Sequence, residues 1–176
     1  MAAFAVRRLE TLSDADIEGL ADVLVDVVEG GASVSFMHPF PREKAIAFWR
    51  GIADGVAAGE RVLVVAEDEQ GICGTAQLIV AQPENQPHRA DLAKMLVHRR
   101  ARRRGIGAAV LIAAEDVARE LGKTLLVLDT ASNDAERLYE RSGWIKVGVI
   151  PDYALMPDGA SCDTAVYYRQ LQKAVR

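Results

Sequence analysis

A strand-like segment, a turn rich in arginine and glycine, and a long amphipathic helix follow one another between residues 92 and 121. The turn reads Arg-Arg-Ala-Arg-Arg-Arg-Gly-Ile-Gly-Ala over residues 99–108. Its two glycines, Gly105 and Gly107, allow a tight turn in which backbone N–H groups approach a ligand closely. The start of the helix adds unpaired N–H groups and the positive end of the helix dipole, and arginine is well suited to phosphate oxygens. The segment therefore predicts a phosphate-binding site between a strand and a helix.

This turn is neither of the two commonest nucleotide-binding loops. It lacks the Gly-Lys-Ser/Thr of a P-loop, and Ala108 and Ala109 stand where the dinucleotide fingerprint needs its third glycine. What remains, Arg102-x-x-Gly105-x-Gly107, resembles the coenzyme A pyrophosphate loop of the GNAT acyltransferase superfamily. A basic, solvated turn capped by glycine is the alternative that this motif alone leaves open.

The sequence downstream of the turn supports the resemblance. Apolar side chains recur at helical spacing, and Gly122 ends the helix. The apolar positions are Ile106, Val110, Ala113, Val117 and Leu121, and Glu115, Asp116, Arg119 and Glu120 are predicted to face outward. An apolar strand over 125–128 completes a β-α-β unit. The pattern that follows, Ala135-x-x-Leu138-Tyr139-x-x-x-Gly143-Trp144, is similar to the second GNAT signature.

The whole chain fits one domain over residues 1–176. Apolar patterning and turn residues predict a strand, two helices, three strands, a helix, a strand, a helix and two strands. This is the order of the GNAT fold, an α/β (mixed α+β) architecture in which a central, mostly antiparallel mixed sheet is flanked by helices. The predicted strands are 6–9, 61–67, 72–81, 92–97, 125–128, 144–150 and 164–171, with early helices between Ser13 and Gly30 and over 42–57.

Composition and charge exclude several classes of function. The formal net charge of -4 at pH 7 argues against a nucleic-acid-binding module despite the arginine cluster. No apolar run approaches the ~18 residues of a membrane span, and the N-terminus lacks the features of a signal peptide. Cys73 and Cys162 form no metal-ligand spacing with the histidines. We therefore expect reduced thiols, no metal and a cytoplasmic location.

The resemblance implies that acetyl-CoA is the cosubstrate. Family members hold the pantetheine arm at a splayed fourth strand, here Met95, Leu96 and Val97, where a backbone N–H would also serve as oxyanion donor. The pyrophosphate would be held by Arg102, Arg103, Arg104, Gly105, Ile106, Gly107 and Ala108. An asparagine that touches the cofactor in many family members has two counterparts here, because Ser132 holds its spacing and Asn133 is one residue late.

Acetyl transfer to an amine needs a proton acceptor near the amine and a proton source for the leaving thiolate. Asp91 at the start of the fourth strand and Asp129 at the end of the fifth are the candidate acceptors, since functional groups gather at strand ends beside a crevice. Either could instead bind the ammonium group of the substrate, or lie in solvent as a loop or capping residue. Tyr139 is the candidate acid, because its phenol donates a hydrogen bond. The alternative is a tyrosine whose ring packs under the sheet.

The segments expected on the acceptor side resemble the tabtoxin-resistance type of acetyltransferase, which acetylates the amino group of a small β-lactam amino acid. The similar segments are 30–37, 89–91, 128–130 and 157–159, within a similarity from about Arg7 to Tyr168. The resemblance implies an acceptor pocket that includes Gly31, Ser33, Val34 and Phe36.

The resemblance implies a small-molecule amine as the partner. From the charge and the lack of a long apolar run we expect no nucleic acid and no membrane, and we expect a monomer or homodimer. Two other interpretations stay open. One is an enzyme that acetylates a protein N-terminus or lysine. The other is a noncatalytic acyl-CoA-binding sensor domain.

Overall fold

The computed structural model describes residues 3–172, which form a seven-stranded sheet with helices on both faces. The strands are β1 (Ala5–Leu9), β2 (Arg61–Asp68), β3 (Gly71–Val80), β4 (Arg89–Val97), β5 (Leu125–Thr130), β6 (Ile145–Leu155) and β7 (Ser161–Gln170). The helices are α1 (Asp14–Glu29), α2 (Arg42–Ala57), α3 (Ile106–Glu120) and α4 (Asn133–Arg141), with a 3-10 turn at Arg99–Ala101.

The strand order is β1-β2-β3-β4-β5-β7-β6. Every neighbouring pair is antiparallel except β4 and β5, which are parallel. Parallel neighbours need a crossover connection, and α3 provides it. The predicted fold class, a mixed and mostly antiparallel sheet flanked by helices, is confirmed.

Two hydrophobic cores lie on opposite faces of the sheet. α1 and α2 cover one face, where Leu20, Leu24 and Trp49 are fully buried. α3 and α4 cover the other, where Val110 and Tyr139 are buried. Because each helix buries one apolar stripe, the sheet is shielded from solvent on both sides over its central strands.

A close contact holds the start of α3 against β3. A Cβ atom at Gly74 would lie 2.6 Å from Cγ2 of Ile106, closer than real Cβ atoms approach. Only glycine at position 74 therefore allows the first turn of α3 to come this near to the sheet. Since that turn also carries Gly105 and Gly107, the contact fixes where the predicted phosphate site lies.

Several predicted strand boundaries were wrong. β4 begins at Arg89 instead of residue 92. β6 continues to Leu155 and β7 begins at Ser161, whereas the predicted strands stopped at 150 and started at 164. The predicted strand ended at residue 150 because Pro151 follows it, but β6 is an edge strand of the sheet, where proline is tolerated. An irregularity in the β6–β7 pairing between Ile150 and Ala154 accommodates it.

Two positions on α3 also differ from the prediction. Glu115, predicted to face outward, is 4% exposed. Its carboxylate accepts a hydrogen bond from Trp144 Nε1 at 2.9 Å and pairs with Arg169 at 3.0 Å, so the charge is compensated inside the core. Leu121, predicted on the apolar face, is 41% exposed because α3 ends one residue before it.

Across residues 3–172, no helix is both long enough and apolar enough to cross a membrane. In the same range, no group of histidine, cysteine, aspartate and glutamate side chains could hold a metal ion. Cys73 is a buried free thiol and Cys162 a half-buried one.

Candidate active site

The sheet opens between β4 and β5. The two strands pair at only three positions, the last of which is Asp91 opposite Val127. Beyond it β4 stays bonded to β3, and β5 stays bonded to β7. Residues 95–97 of β4 therefore face a cleft where a parallel neighbour would otherwise lie. A cleft of this kind offers backbone groups to an extended ligand that takes the place of a strand.

A β-bulge in β4 lies beside the opening. The pairing with β3 shifts between Ala93 and Leu96, and Lys94 has a φ of 48°. The extra residue changes which face later side chains occupy. Leu92 belongs to the core under α3, whereas Leu96 belongs to the core under α1 and α2. The side chain of Lys94 contacts Ser35, in the loop between α1 and α2, so the bulge turns it toward that face of the sheet.

The turn before α3 has the conformation that its glycines predict. Gly105, with a φ of 81°, is the residue that precedes the helix, and Arg103 also has a positive φ of 60°. The carbonyl of Gly105 accepts the first helical hydrogen bond, from Ala109. The N–H groups in the turn before Ala109 therefore have no partner within the helix and are available to an anion.

Three of the five arginines in this segment form salt bridges with other parts of the protein. Arg99 pairs with Asp26 at 2.9 Å. Arg100 and Arg104 both pair with Asp68, at 2.8 and 2.6 Å. Asp68 is almost completely buried, and the guanidinium of Arg100, helped by Arg104, holds the pKa of its carboxyl well below the usual range. These pairs tie the turn to β2 and α1.

The remaining two arginines are exposed. Arg102 and Arg103 form no salt bridge with any residue in the range 3–172. Their guanidinium groups are therefore the ones that a phosphate ligand at this turn would meet without breaking an ion pair.

Gly107 lies where α3, α4 and β4 meet. A Cβ at this position would be 3.3 Å from Leu138 of α4, 3.8 Å from Val97 and 3.9 Å from Met95. The missing side chain leaves the helix N–H groups accessible from the end of the cleft. Residues predicted to hold the pantetheine arm, Met95 and Val97, thus lie next to Gly107, which was predicted to hold the pyrophosphate.

Helix α4 begins differently from the family pattern described above. The hydroxyl of Ser132 accepts a hydrogen bond from the N–H of Ala135 at 3.3 Å and caps the helix. Asn133 is the first helical residue, and its side chain is exposed. Because the Ser132 hydroxyl is used as a cap, Asn133 has the side chain that is more available to a ligand.

Tyr139 is 4% exposed and packs against Trp144 and Tyr167, with ring centroids 5.7 and 6.0 Å away. No side chain or backbone group among residues 3–172 is hydrogen-bonded to its hydroxyl. Burial raises the pKa of this phenol, and the negative charge of Asp129 adds to the effect. The phenol therefore keeps its proton at neutral pH.

The two candidate carboxylates lie on adjacent strands but have different partners. Asp91 accepts a hydrogen bond from Arg89 at 2.7 Å, within an ion pair. Asp129 lies two positions beyond the residue opposite Asp91, is exposed, and accepts a hydrogen bond from the Thr164 hydroxyl at 3.0 Å. Of the two carboxylates, Asp129 is the one that forms no ion pair with any residue in the range 3–172.

The loop between α1 and α2 closes one side of the cleft. Ser33 donates a hydrogen bond to the carbonyl of Leu155 at 3.0 Å, and the N–H of His38 donates to Pro157 at 3.0 Å. Both acceptors belong to the β6–β7 hairpin, so the loop spans from the helices to the far edge of the sheet. Phe36 packs against the core under α1 and α2, as do Val34 and Ala32. Gly31, with a φ of 85°, begins this loop.

Sequence reasoning missed four residues that shape the site. Asp68 lies between the predicted strands 61–67 and 72–81 and Gly74 lies inside the second of them, and neither was assigned a role. Glycine inside such a strand is a signal of close backbone approach. Lys94 and Ser35 were not singled out, although a lysine within the apolar run Ala-Lys-Met-Leu-Val is itself an anomaly.

Comparison with known proteins decides the family. The model described as "Acetyltransferase (GNAT) family" matches residues 29–144. The chain belongs to the GNAT family. An uncharacterized N-acetyltransferase in the hisH-hisA intergenic region of Azospirillum brasilense is 32% identical over 126 residues, which cover 70% of this chain and 73% of the relative. The protein is therefore an acetyl-CoA-dependent N-acetyltransferase.

Solved structures agree with this assignment at the level of the fold. The structure of yncA from Salmonella typhimurium with its cofactor acetyl-CoA has a TM-score of 0.77 and 19% identity, covering 99% of this chain and 97% of the other. Ribosomal-protein-alanine N-acetyltransferase from Brucella melitensis has a TM-score of 0.79 and 23% identity, covering 95% and 99%.

The residues of this GNAT protein fit acetyl-CoA. The turn before α3 combines free N–H groups with exposed guanidinium groups, which suits a pyrophosphate. The absent side chain at Gly107 leaves room beside that turn, since a Cβ would already lie 3.3 Å from Leu138. The unpaired edge of β4 suits the amide groups of a pantetheine arm.

Proposed function

We propose that this enzyme acetylates the amino group of a small, amino-acid-like acceptor, and that it is of the tabtoxin-resistance type, acting on a β-lactam toxin or antibiotic. The observation that carries the proposal is the closure of the cleft by the loop that includes Ser33 and His38, which is hydrogen-bonded to the β6–β7 hairpin. A cleft closed in this way suits a compact acceptor better than a polypeptide chain. We further propose that residues 1–176 form one catalytic domain that works in the cytoplasm.

The donor, when bound, supplies an acetyl group activated as a thioester. In our proposal Asp129 binds the acceptor's ammonium group and takes up its proton, because it is exposed and has only a hydroxyl partner within the described residues. Asp91, held by Arg89, positions the acceptor. The protonated phenol of Tyr139 donates a hydrogen bond to the sulfur that departs. A backbone N–H within residues 95–97 polarises the reacting carbonyl.

A thiol-release assay with acetyl-CoA tests the proposal. The acceptor panel would contain α-amino acids, β-lactam amino acids, a lysine peptide and a peptide with a free N-terminal alanine. We expect kcat/KM for at least one small amino acid to exceed that for both peptides by about tenfold or more. Higher turnover of a peptide would assign the enzyme to protein acetylation. Acetyl-CoA binding without turnover of any acceptor would favour a sensor domain.

A further inference from the structure

We infer that Lys94 and Ser35 form the subsite that binds the carboxylate group of the acceptor. The inference rests on the proposed function, in which a small amino-acid-like amine is acetylated in this cleft. The subsite adds one requirement that the proposed function does not specify: the acceptor must carry an anionic group close to its reacting amine.

Lys94 and Ser35 both have strained backbone conformations, and their side chains meet. Among residues 3–172, the non-glycine residues with positive φ are Ser35, Lys94, Arg103 and Asp152. Ser35 (82°) and Lys94 (48°) are 59 positions apart in sequence, yet Lys94 Nζ donates a hydrogen bond to Ser35 Oγ at 3.0 Å. Strained backbone of this kind persists where the surroundings hold it, and it clusters at active sites and ligand clamps.

The ammonium group of Lys94 is partly buried and has no anionic partner within the described part of the chain. No carboxylate among residues 3–172 lies within 4.0 Å of it. Its neighbours are the Ser35 hydroxyl and the ring of Phe48, whose centroid is 5.7 Å away. Burial lowers the pKa of Lys94, and the charge of Asp129 opposes this without forming an ion pair. A cation that has lost water in this way is stabilised by an anionic ligand.

Side chains of opposite charge lie on the same face of the sheet beside the cleft. On β5, Leu126 and Leu128 enter the core under α3, so alternation along the strand places Asp129 on the opposite face. This is the face toward which the bulge turns Lys94. A cationic and an anionic side chain thus share one side of the opening and complement the two charges of an amino acid. Phe36 and Phe48, 5.2 Å apart, supply an apolar wall beside them.

The test compares two acceptors in four proteins. The acceptors are the best amino acid from the panel and its carboxamide, in which the carboxylate is neutral. The proteins are wild type, Lys94→Met, Lys94→Arg and the matched control Lys44→Met, whose lysine lies 5.9 Å from the neighbouring Phe36 ring but is exposed. Each variant is compared with wild type on the same acceptor. The different basicities of the two acceptor amines therefore cancel in each comparison.

We expect Lys94→Met to lower kcat/KM for the amino acid by about 30- to 100-fold, mainly through KM, as fits the loss of one charged hydrogen bond. For the carboxamide the loss is expected to stay within about threefold. Lys94→Arg should restore part of the loss, and Lys44→Met should behave as wild type. If Lys94→Met does not fold, as judged by circular dichroism, Ser35→Ala replaces it and should show a smaller loss with the same selectivity.

Equal losses for both acceptors, or no loss for either, would overturn the inference. Wild-type enzyme that acetylates the amino acid and the carboxamide equally well would also overturn it while leaving the proposed function standing. If the wild-type enzyme acetylates no small amino acid, the proposed function is refuted, and the proposed subsite is refuted with it.

Discussion

Replacing Asp68 with asparagine keeps the size of the side chain and removes the charge that holds Arg100 and Arg104. The carboxylate is 5% exposed, and it accepts hydrogen bonds from both guanidinium groups and from the N–H of Gln70. Removing one partner of a buried ion pair costs about 3–5 kcal/mol. The two arginine side chains are 25% and 19% exposed and can recover some hydration. We therefore expect a loss of about 2–3 kcal/mol in the free energy of unfolding at pH 7.

The pH dependence of this loss identifies its cause. Because the arginines lower the pKa of Asp68 in the folded protein, the stabilisation is complete above the unfolded-state pKa of about 3.9. It declines as the pH falls from there toward the folded-state pKa. The difference between wild type and Asp68→Asn should therefore be constant from pH 7 to about 5 and shrink below about 4.

Urea unfolding followed by circular dichroism, at several pH values, measures both quantities. Asp116→Asn is the matched control, since Asp116 pairs with Arg119 at 2.7 Å on an exposed part of α3 and should change stability by less than about 0.5 kcal/mol. A difference for Asp68→Asn as small as that of the control at pH 7 would refute the reasoning. So would a large difference that stays the same down to pH 3.

Three further substitutions test other parts of the structure. Gly107→Asp is expected to abolish acetyl-CoA binding in calorimetric titration while the fold is kept, because the new carboxylate repels the pyrophosphate and its Cβ must displace only the end of Leu138. Tyr139→Phe should lower kcat about 100-fold with little change in acetyl-CoA affinity, and the loss should shrink for donors with more acidic thiols; a uniform loss would remove the phenol from the mechanism. Glu115→Ala should cost about 3 kcal/mol in urea unfolding, since it leaves the indole N–H of Trp144 and a nearby guanidinium without their buried acceptor.

Local patterns were enough to predict most of the fold. Helical periodicity and caps located α1 and α2, and glycine with positive φ at position 122 ended α3 as predicted. Boundaries failed where a tertiary feature overrides local propensity. β6 passes through Pro151 because the strand lies at an edge, and Glu115 is buried because Trp144 and Arg169 satisfy it, neither of which sequence spacing reveals.

The candidate site was also predictable only where local sequence determines the structure. The turn before α3 was predictable because glycine and arginine there follow from backbone conformation and phosphate chemistry. The use of Arg100 and Arg104 as structural ion pairs was not, because Asp68 lies more than 30 positions away in the sequence. The meeting of Lys94 with Ser35 also depends on a bulge, which no local pattern specified.

The short pairing between β4 and β5 also has a mechanical consequence. β1 to β4 form one part of the sheet, and β5, β7 and β6 form another. The two parts are joined by three residue pairs between β4 and β5, by the α3 crossover, and by the hydrogen bonds from the α1–α2 loop to the β6–β7 hairpin. A ligand bound in the cleft between β4 and β5 would contact both parts of the sheet and hold them together. Its binding free energy then stabilises the folded arrangement of the two parts of the sheet. Bound acetyl-CoA would therefore make the site that binds the acceptor more rigid.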